Sequence, residues 1–142
     1  MNNVFLLVDD DSDDSELFGE AIQENNPEIA VHVATNGREA FNVLNEIEQP
    51  DLIFLDINMP IMNGWECLAK LKISAEYKNI PVIMYSTSSH KKDIDLAAET
   101  GAITFLSKPH DYQELRRILK SLTQHLENGT IDQIGPVLSA GA

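Results

Sequence analysis

Five short apolar runs recur along the chain, and each is followed by polar residues and then by a segment with helical spacing. Apolar runs of four to six residues are typical of strands buried on both faces of a parallel sheet. Gly, Pro, Asn or Ser residues bound the runs and mark the connecting turns. The pattern predicts strands at residues 4–8, 29–34, 52–55, 81–85 and 103–106.

The segments between these runs have apolar residues three and four positions apart, which is the period of an amphipathic helix. Leu17, Phe18 and Ala21 show this spacing in the first of them. Ser12 is the predicted N-cap of that helix, and Gly101 is the predicted end of the fourth. The spacing predicts five helices, at roughly residues 13–25, 37–48, 64–74, 90–99 and 111–126.

Regular alternation of strands and helices predicts an α/β fold, a parallel sheet with helices on both faces. Right-handed crossovers leave few topologies for five parallel strands, and the order 2-1-3-4-5 of a doubly wound, flavodoxin-like sheet is the natural one. Residues 1–127 are predicted to form one domain. Residues 128–142, rich in Gly, Ser and Ala, are predicted to be a flexible C-terminal tail.

Composition narrows the function classes. The 142-residue chain has a formal net charge of −13, which argues against direct binding of nucleic acid and favours basic protein partners or a bound cation. Its one cysteine, Cys67, rules out a disulfide framework within the chain. No signal peptide or membrane span is predicted, so the expected location is the cytoplasm.

Polar side chains follow four of the predicted strands. Because the carboxyl ends of parallel strands meet at one edge of a sheet, these residues are expected to be neighbours. They are Asp9, Asp10 and Asp11 after strand 1, Asp56 and Asn58 after strand 3, Ser86 and Thr87 after strand 4, and Lys108 after strand 5.

These residues fit one kind of chemistry. Clustered carboxylates repel one another unless one is protonated or a cation binds, and oxygen ligands favour a hard cation such as Mg²⁺. Lys108 and Ser86 suit phosphoryl oxygens, so the set matches an aspartyl-phosphate site. A single Asp after a strand is more often a helix cap or turn residue, and Asp11, Asp13 and Asp14 are interpreted in that way. Polar residues of this kind follow four strands at the same edge of the sheet, and this favours an aspartyl-phosphate site over isolated turn residues.

The same residues carry a family resemblance. The motifs are Val8-Asp9-Asp10-Asp11, Leu55 to Pro60 with Met62-Asn63-Gly64, Ser86, Gly101-Ala102 and Lys108-Pro109. In this order and spacing they resemble the CheY-like receiver domain of two-component response regulators, over residues 3 to about 126. Tyr85-Ser86-Thr87-Ser88 and Asp13-Asp14 are similar to the stand-alone regulators associated with bacterial phytochromes.

The resemblance implies a role for each site residue. Asp56 is expected to be the phosphoacceptor, and Lys108 and Ser86 to bind the phosphoryl group. Mg²⁺ is expected to be bound by Asp10, Asp56 and the backbone carbonyl of Asn58, with Asp9 as an outer-sphere partner. Phe105 occupies the aromatic switch position and is expected to turn inward as Ser86 moves. The Lys108–Pro109 peptide bond is expected to be cis.

The leading hypothesis is a single-domain response regulator rather than an enzyme. Its expected partners are a sensor histidine kinase or phosphotransfer protein, a downstream protein, and a second copy through helix 4, strand 5 and helix 5. Two alternatives stay open, a Mg²⁺-dependent phosphatase and a pseudo-receiver that is never phosphorylated. Asn58 argues against the first, because such phosphatases often have a second Asp there. A dinucleotide-binding domain is excluded, since Asp9 to Asp11 replace the Gly-rich turn.

Overall fold

The computed structural model describes residues 3–88, 90–135 and 137–138. The strands are β1 (Val4–Val8), β2 (Ala30–Ala34), β3 (Leu52–Leu55), β4 (Val82–Ser86), β5 (Thr104–Ser107) and β6 (Val137–Leu138). The helices are α1 (Ser12–Asn25), α2 (Gly37–Leu44), α3 (Gly64–Ile73), α4 (Lys91–Thr100) and α5 (Tyr112–Glu127), and a short 3₁₀ helix spans Ile131–Gln133. None of the described helices has the length and apolar character needed to cross a membrane.

All strands pair in parallel, in the order β2-β1-β3-β4-β5-β6. The predicted doubly wound α/β fold, with its strand order 2-1-3-4-5 and five helices, is therefore confirmed. Val8 lies opposite Ala34 in β2 and opposite Leu55 in β3. Asp9 follows Val8 and Asp56 follows Leu55, so this register brings the two aspartates to the same edge of the sheet.

The core lies on both faces of the sheet. Every residue of β1 is buried, with Leu6 and Val8 in the cluster that includes α3 and Ala97 of α4. Phe5 and Leu7 lie in the opposite cluster, between the sheet and helices α1 and α5. Burial of each such side chain contributes about 1.5–3 kcal/mol to the stability of the fold. The central strands are therefore held firmly in place, and they fix the positions of the polar residues that follow them.

The start of α1 and the end of α2 differ from the prediction for reasons that local contacts explain, and every other helix end lies within one residue of its predicted position. The N-cap of α1 is Asp11 and not Ser12, because the Asp11 carboxylate accepts hydrogen bonds from the backbone N–H groups of Asp13 and Asp14. Helix α2 ends at Leu44, four residues before the predicted end. There the Glu46 N–H donates to the Val43 carbonyl in a tighter turn at 2.9 Å, which ends the regular helix.

The segment after α5 contributes a strand that the sequence pattern did not predict. Ile131 and Ile134 are partly buried against the cluster beside α1 and α5. Val137 and Leu138 pair in parallel with β5. A strand of two residues is too short to show an alternation of apolar and polar residues. For that reason the sequence pattern predicted a tail here and no strand. The flexibility expected of residues 128–142 stays a prediction.

Ile61 has a φ of 68° and is the one non-glycine residue in the described ranges with a positive φ. Its side chain is 74% exposed, so packing does not compensate a strain that costs about 1–2 kcal/mol for a side chain with a Cβ. We predict that Ile61→Asn raises the free energy of unfolding by about 1 kcal/mol and Tm by about 2–4 °C, because Asn tolerates this conformation.

The matched control for that prediction is Ile73→Asn. Ile73 ends α3 and is 84% exposed, but its φ is not positive. We expect it to change the free energy of unfolding by no more than about 0.5 kcal/mol. Equal shifts in the two variants, measured by thermal unfolding, would show that the effect comes from surface polarity and not from backbone strain.

Candidate functional site

Asp9 and Asp56 are held side by side by the parallel ladder. The Asp56 N–H donates to the Val8 carbonyl, and the Asp9 N–H donates to the Ala34 carbonyl, each at 2.9 Å. The ladder therefore continues one residue past the strands and fixes both main chains. Asp9 is 1% exposed and Asp56 is 7% exposed, so both carboxylates lie below the protein surface.

These two residues and Asp10 form an acidic cluster that fits a hard cation. One carboxylate oxygen from each of the three lies within 4.8 Å of the others. Asp9 Oδ1 accepts a hydrogen bond from the Asp11 N–H at 2.9 Å, whereas the buried Asp9 Oδ2 accepts no aligned hydrogen bond from the described residues and has the ammonium of Lys108 as its neighbour. Three carboxylates without a His or Cys are the donor set that Mg²⁺ prefers.

Lys108 supplies the positive charge. Its Nζ lies 2.8 Å from Asp9 Oδ2, 2.9 Å from Asp14 Oδ2 and 3.5 Å from Asp56 Oδ2. The contact with Asp9 is an ion pair without the alignment of a hydrogen bond. Burial opposes the charged ammonium, but the surrounding carboxylates outweigh it and raise the pKa of Lys108 above its ordinary value. The ammonium is therefore charged at neutral pH.

The backbone places Lys108 in this position. Its N–H donates to the Ser86 carbonyl at 2.7 Å, which extends the pairing of β4 with β5 past Ser107. No peptide bond in the described ranges is cis, so the prediction of a cis Lys108–Pro109 bond is wrong. The trans form is the more stable one for a peptide bond before proline, by about 0.5–1 kcal/mol.

The carboxyl group of Asp56 has a raised pKa. Burial is the main reason that its pKa rises from 3.8 to about 6, and the negative charge of Asp9 adds to the rise. The ammonium of Lys108 and the Ile57 N–H, which donates to Asp56 Oδ1 at 2.8 Å, act in the opposite direction. At neutral pH Asp56 is therefore mostly ionised and able to act as a nucleophile.

The predicted hydroxyl and switch residues lie on β4 and β5. Ser86 is fully buried at the end of β4, and its Oγ accepts a hydrogen bond from the Ser88 N–H at 3.3 Å. Phe105 lies opposite Met84 and is fully buried in the cluster beside α3 and α4. Its side chain is thus already inside the core. Asn58 is exposed in the loop after β3.

Asp14 is the site residue that sequence reasoning missed. The sequence predicts it as an acidic residue of the first helical turn and as part of a subfamily resemblance, with no contact to Lys108, yet its carboxylate accepts a hydrogen bond from Lys108 Nζ at 2.9 Å. A signal was present in the spacing. Asp14 precedes the fully buried Phe18 by four residues, and residues four apart share one face of a helix. Asp14 therefore faces the sheet, with about a third of its side chain exposed.

Comparisons with known proteins agree with this arrangement. The family model for the response regulator receiver domain matches residues 5–120. A probable transcriptional regulator, ycf29 of Pyropia yezoensis, is 37% identical over 124 residues, which are 86% of this chain and 54% of that protein. The chain thus spans about half the length of that relative.

Two solved structures are similar over nearly the whole fold. The phosphorylated cyanobacterial phytochrome response regulator RcpA has a TM-score of 0.81 and 28% identity, covering 91% of this chain and 96% of RcpA. The Mn²⁺-bound form of Rcp1, a response regulator of Synechocystis, has a TM-score of 0.75 and 27% identity, covering 86% and 92%.

Proposed function

Because the chain belongs to the response regulator receiver domain family, we propose that it is a phosphorylation switch with Asp56 as its phosphoacceptor. The observation that carries the proposal is the environment of that carboxylate. Asp56 lies between an acidic cluster suited to a cation and the ammonium of Lys108, 3.5 Å away. Transfer of a phosphoryl group to a carboxylate requires positive charges of this kind next to the carboxylate, because they stabilise the negative charge of the phosphoryl oxygens.

The proposed donor is a phosphohistidine on a sensor histidine kinase or a phosphotransfer protein. An oxygen of Asp56 forms a bond to phosphorus while the phosphorus–nitrogen bond breaks, and the imidazole leaves with the electron pair. Lys108 balances the charge of the phosphoryl group, and the Ser86 hydroxyl donates a hydrogen bond to it. The similarity to RcpA, whose structure is that of a phytochrome response regulator, supports a phytochrome-type sensor as the source.

The acidic cluster is proposed to hold Mg²⁺. Asp10, Asp56 and the backbone carbonyl of Asn58 would bind the ion, and Asp9 would hold its ligand waters. When bound, the ion neutralises charge on the phosphoryl oxygens. Support comes from the three carboxylate oxygens of Asp9, Asp10 and Asp56, which lie within 4.8 Å of one another, and from the similar Rcp1 structure, which is a Mn²⁺-bound form.

The proposed output passes through β4 and β5. Ser86 and Phe105 lie on adjacent strands, two residues apart in register, since Ser86 is opposite Ser107. A hydroxyl drawn toward the phosphoryl group would change the packing around Phe105, between the sheet and α4. The proposed binding surface is α4, β5 and α5, for a downstream protein or a second copy of the chain.

Intact mass spectrometry tests the proposal. Incubation with Mg²⁺ and acetyl phosphate is expected to add one phosphoryl group to the wild-type protein and none to Asp56→Asn. The matched control is Asp95→Asn, which removes an exposed carboxylate of α4 that is paired with Lys91 and should leave the adduct unchanged.

Two outcomes would contradict the proposal. Absence of an adduct with both acetyl phosphate and a phosphorylated kinase would indicate a pseudo-receiver. Continuous release of phosphate from phosphate esters, lost in Asp56→Asn, would indicate a phosphatase instead.

A further inference from the structure

The ammonium of Lys108 is shared unequally among three carboxylates. Its Nζ lies 2.8 Å from Asp9 and 2.9 Å from Asp14, but 3.5 Å from Asp56. The charge is therefore held nearest to two residues that do not receive the phosphoryl group. Asp14 is the more exposed of these two, because its side chain is 32% exposed whereas that of Asp9 is fully buried.

A phosphoryl group on Asp56 would compete for this ammonium. An ammonium has three N–H donors, and the three neighbouring carboxylates already surround that of Lys108. A phosphoryl oxygen would replace the long 3.5 Å contact with Asp56, and to bind it closely Lys108 must move toward Asp56 and lengthen its contact with Asp9 or Asp14. Asp14 is the partner that can be released at least cost, because its carboxylate reaches solvent and can be hydrated there.

The position of Asp14 is fixed by its helix. Asp11 caps α1 through bonds from the N–H groups of Asp13 and Asp14, so the first turn has a defined orientation. Phe18, four residues further on, is fully buried against Phe54 of β3, with ring centroids 4.8 Å apart. The carboxylate of Asp14 is therefore presented to the sheet edge by a helix that is anchored in the core.

We propose that Asp14 is a positioning residue that holds Lys108 away from the phosphoryl site and so slows phosphorylation of Asp56. The proposal rests on the proposed function of Asp56 and deepens it. Removing the negative charge of Asp14 frees Lys108 to move toward the phosphoryl group in the transition state. Asp14 thereby sets how readily the site responds to a donor.

The test compares Asp14→Asn with Asp13→Asn in the full chain. Asp13 is the neighbouring residue of the same helical turn, and within the described ranges its side chain makes no contact with Lys108. Both substitutions remove one negative charge from the same helical turn, so both are expected to lower the half-saturating concentration of an anionic donor. Only Asp14→Asn is expected to raise the maximal phosphorylation rate, by about fivefold.

The rate is measured by intact mass at increasing acetyl phosphate concentrations with Mg²⁺. Beryllofluoride, a phosphoryl mimic, gives an equilibrium readout, and Asp14→Asn is expected to bind it about fivefold more tightly than Asp13→Asn.

Equal maximal rates and equal beryllofluoride affinities in the two variants would overturn the role of Asp14 while leaving Asp56 as the acceptor. A slower maximal rate in Asp14→Asn would overturn it as well. Absence of any adduct in the wild-type protein would remove the proposed function and this inference together.

Discussion

Gly64→Ala is expected to destabilise the protein by about 3 kcal/mol or more and to abolish phosphorylation of Asp56. Gly64 begins α3, and its N–H donates to the Ile57 carbonyl at 2.8 Å. A Cβ at this position would overlap the carbonyl oxygen of Asp56 and lie 2.8 Å from Ile57 Cα. Both are backbone atoms at the end of a buried strand, so the loop and the acceptor must move together.

Gly19→Ala is the matched control. Gly19 lies inside α1, and a Cβ there would have no atom within 4 Å. The same substitution should stabilise the protein by about 0.5–1 kcal/mol, because it lowers the entropy of the unfolded chain. Urea denaturation gives the two free energies of unfolding, and intact mass gives the adduct. A Gly64→Ala protein as stable as Gly19→Ala would contradict the close approach of α3 to Asp56.

The architecture could be predicted from the sequence because the same pattern of a short apolar run followed by a helical segment occurs five times along the chain. β1 has exactly the predicted bounds, and each predicted strand is found within one residue at either end. Short runs buried on both faces leave little choice but a parallel sheet, and the topology then brings the strand ends together. The proximity of Asp9, Asp10 and Asp56 followed from those two steps alone.

The details that could not be predicted from the sequence depend on single local hydrogen bonds or on how distant elements pack against each other. Nothing in the residue order shows that Lys108 contacts Asp14, because the two are 94 residues apart and the pairing depends on how α1 packs on the sheet. The early end of α2 depends on one tight turn at Glu46. The positive φ of Ile61 contradicts the preference of a β-branched residue, so the loop around it overrides local propensity.

Asp56→Asn is expected to stabilise the metal-free protein at pH 7.5 by up to about 3 kcal/mol, although it removes the phosphoacceptor. The pKa of Asp56 is raised from 3.8 to about 6 in the folded protein, mainly by burial. At a pH between 3.8 and about 6, the carboxyl group of Asp56 is mostly protonated in the folded state and mostly ionised in the unfolded state. The free energy of unfolding of the wild-type protein therefore falls as the pH rises from 4 to 6, and the full cost is present above pH 6.

An asparagine at this position does not titrate, so the advantage of Asp56→Asn should be large at pH 7.5 and vanish near pH 4. Urea denaturation in the presence of a chelator, at several pH values between 4 and 8, measures it. Asp95→Asn, an exposed carboxylate on α4, should change the free energy by no more than about 0.5 kcal/mol throughout. An advantage that grows toward acidic pH would contradict the raised pKa. Millimolar Mg²⁺ should narrow the gap at pH 7.5, because a bound cation compensates the charge of Asp56 in the wild-type protein alone.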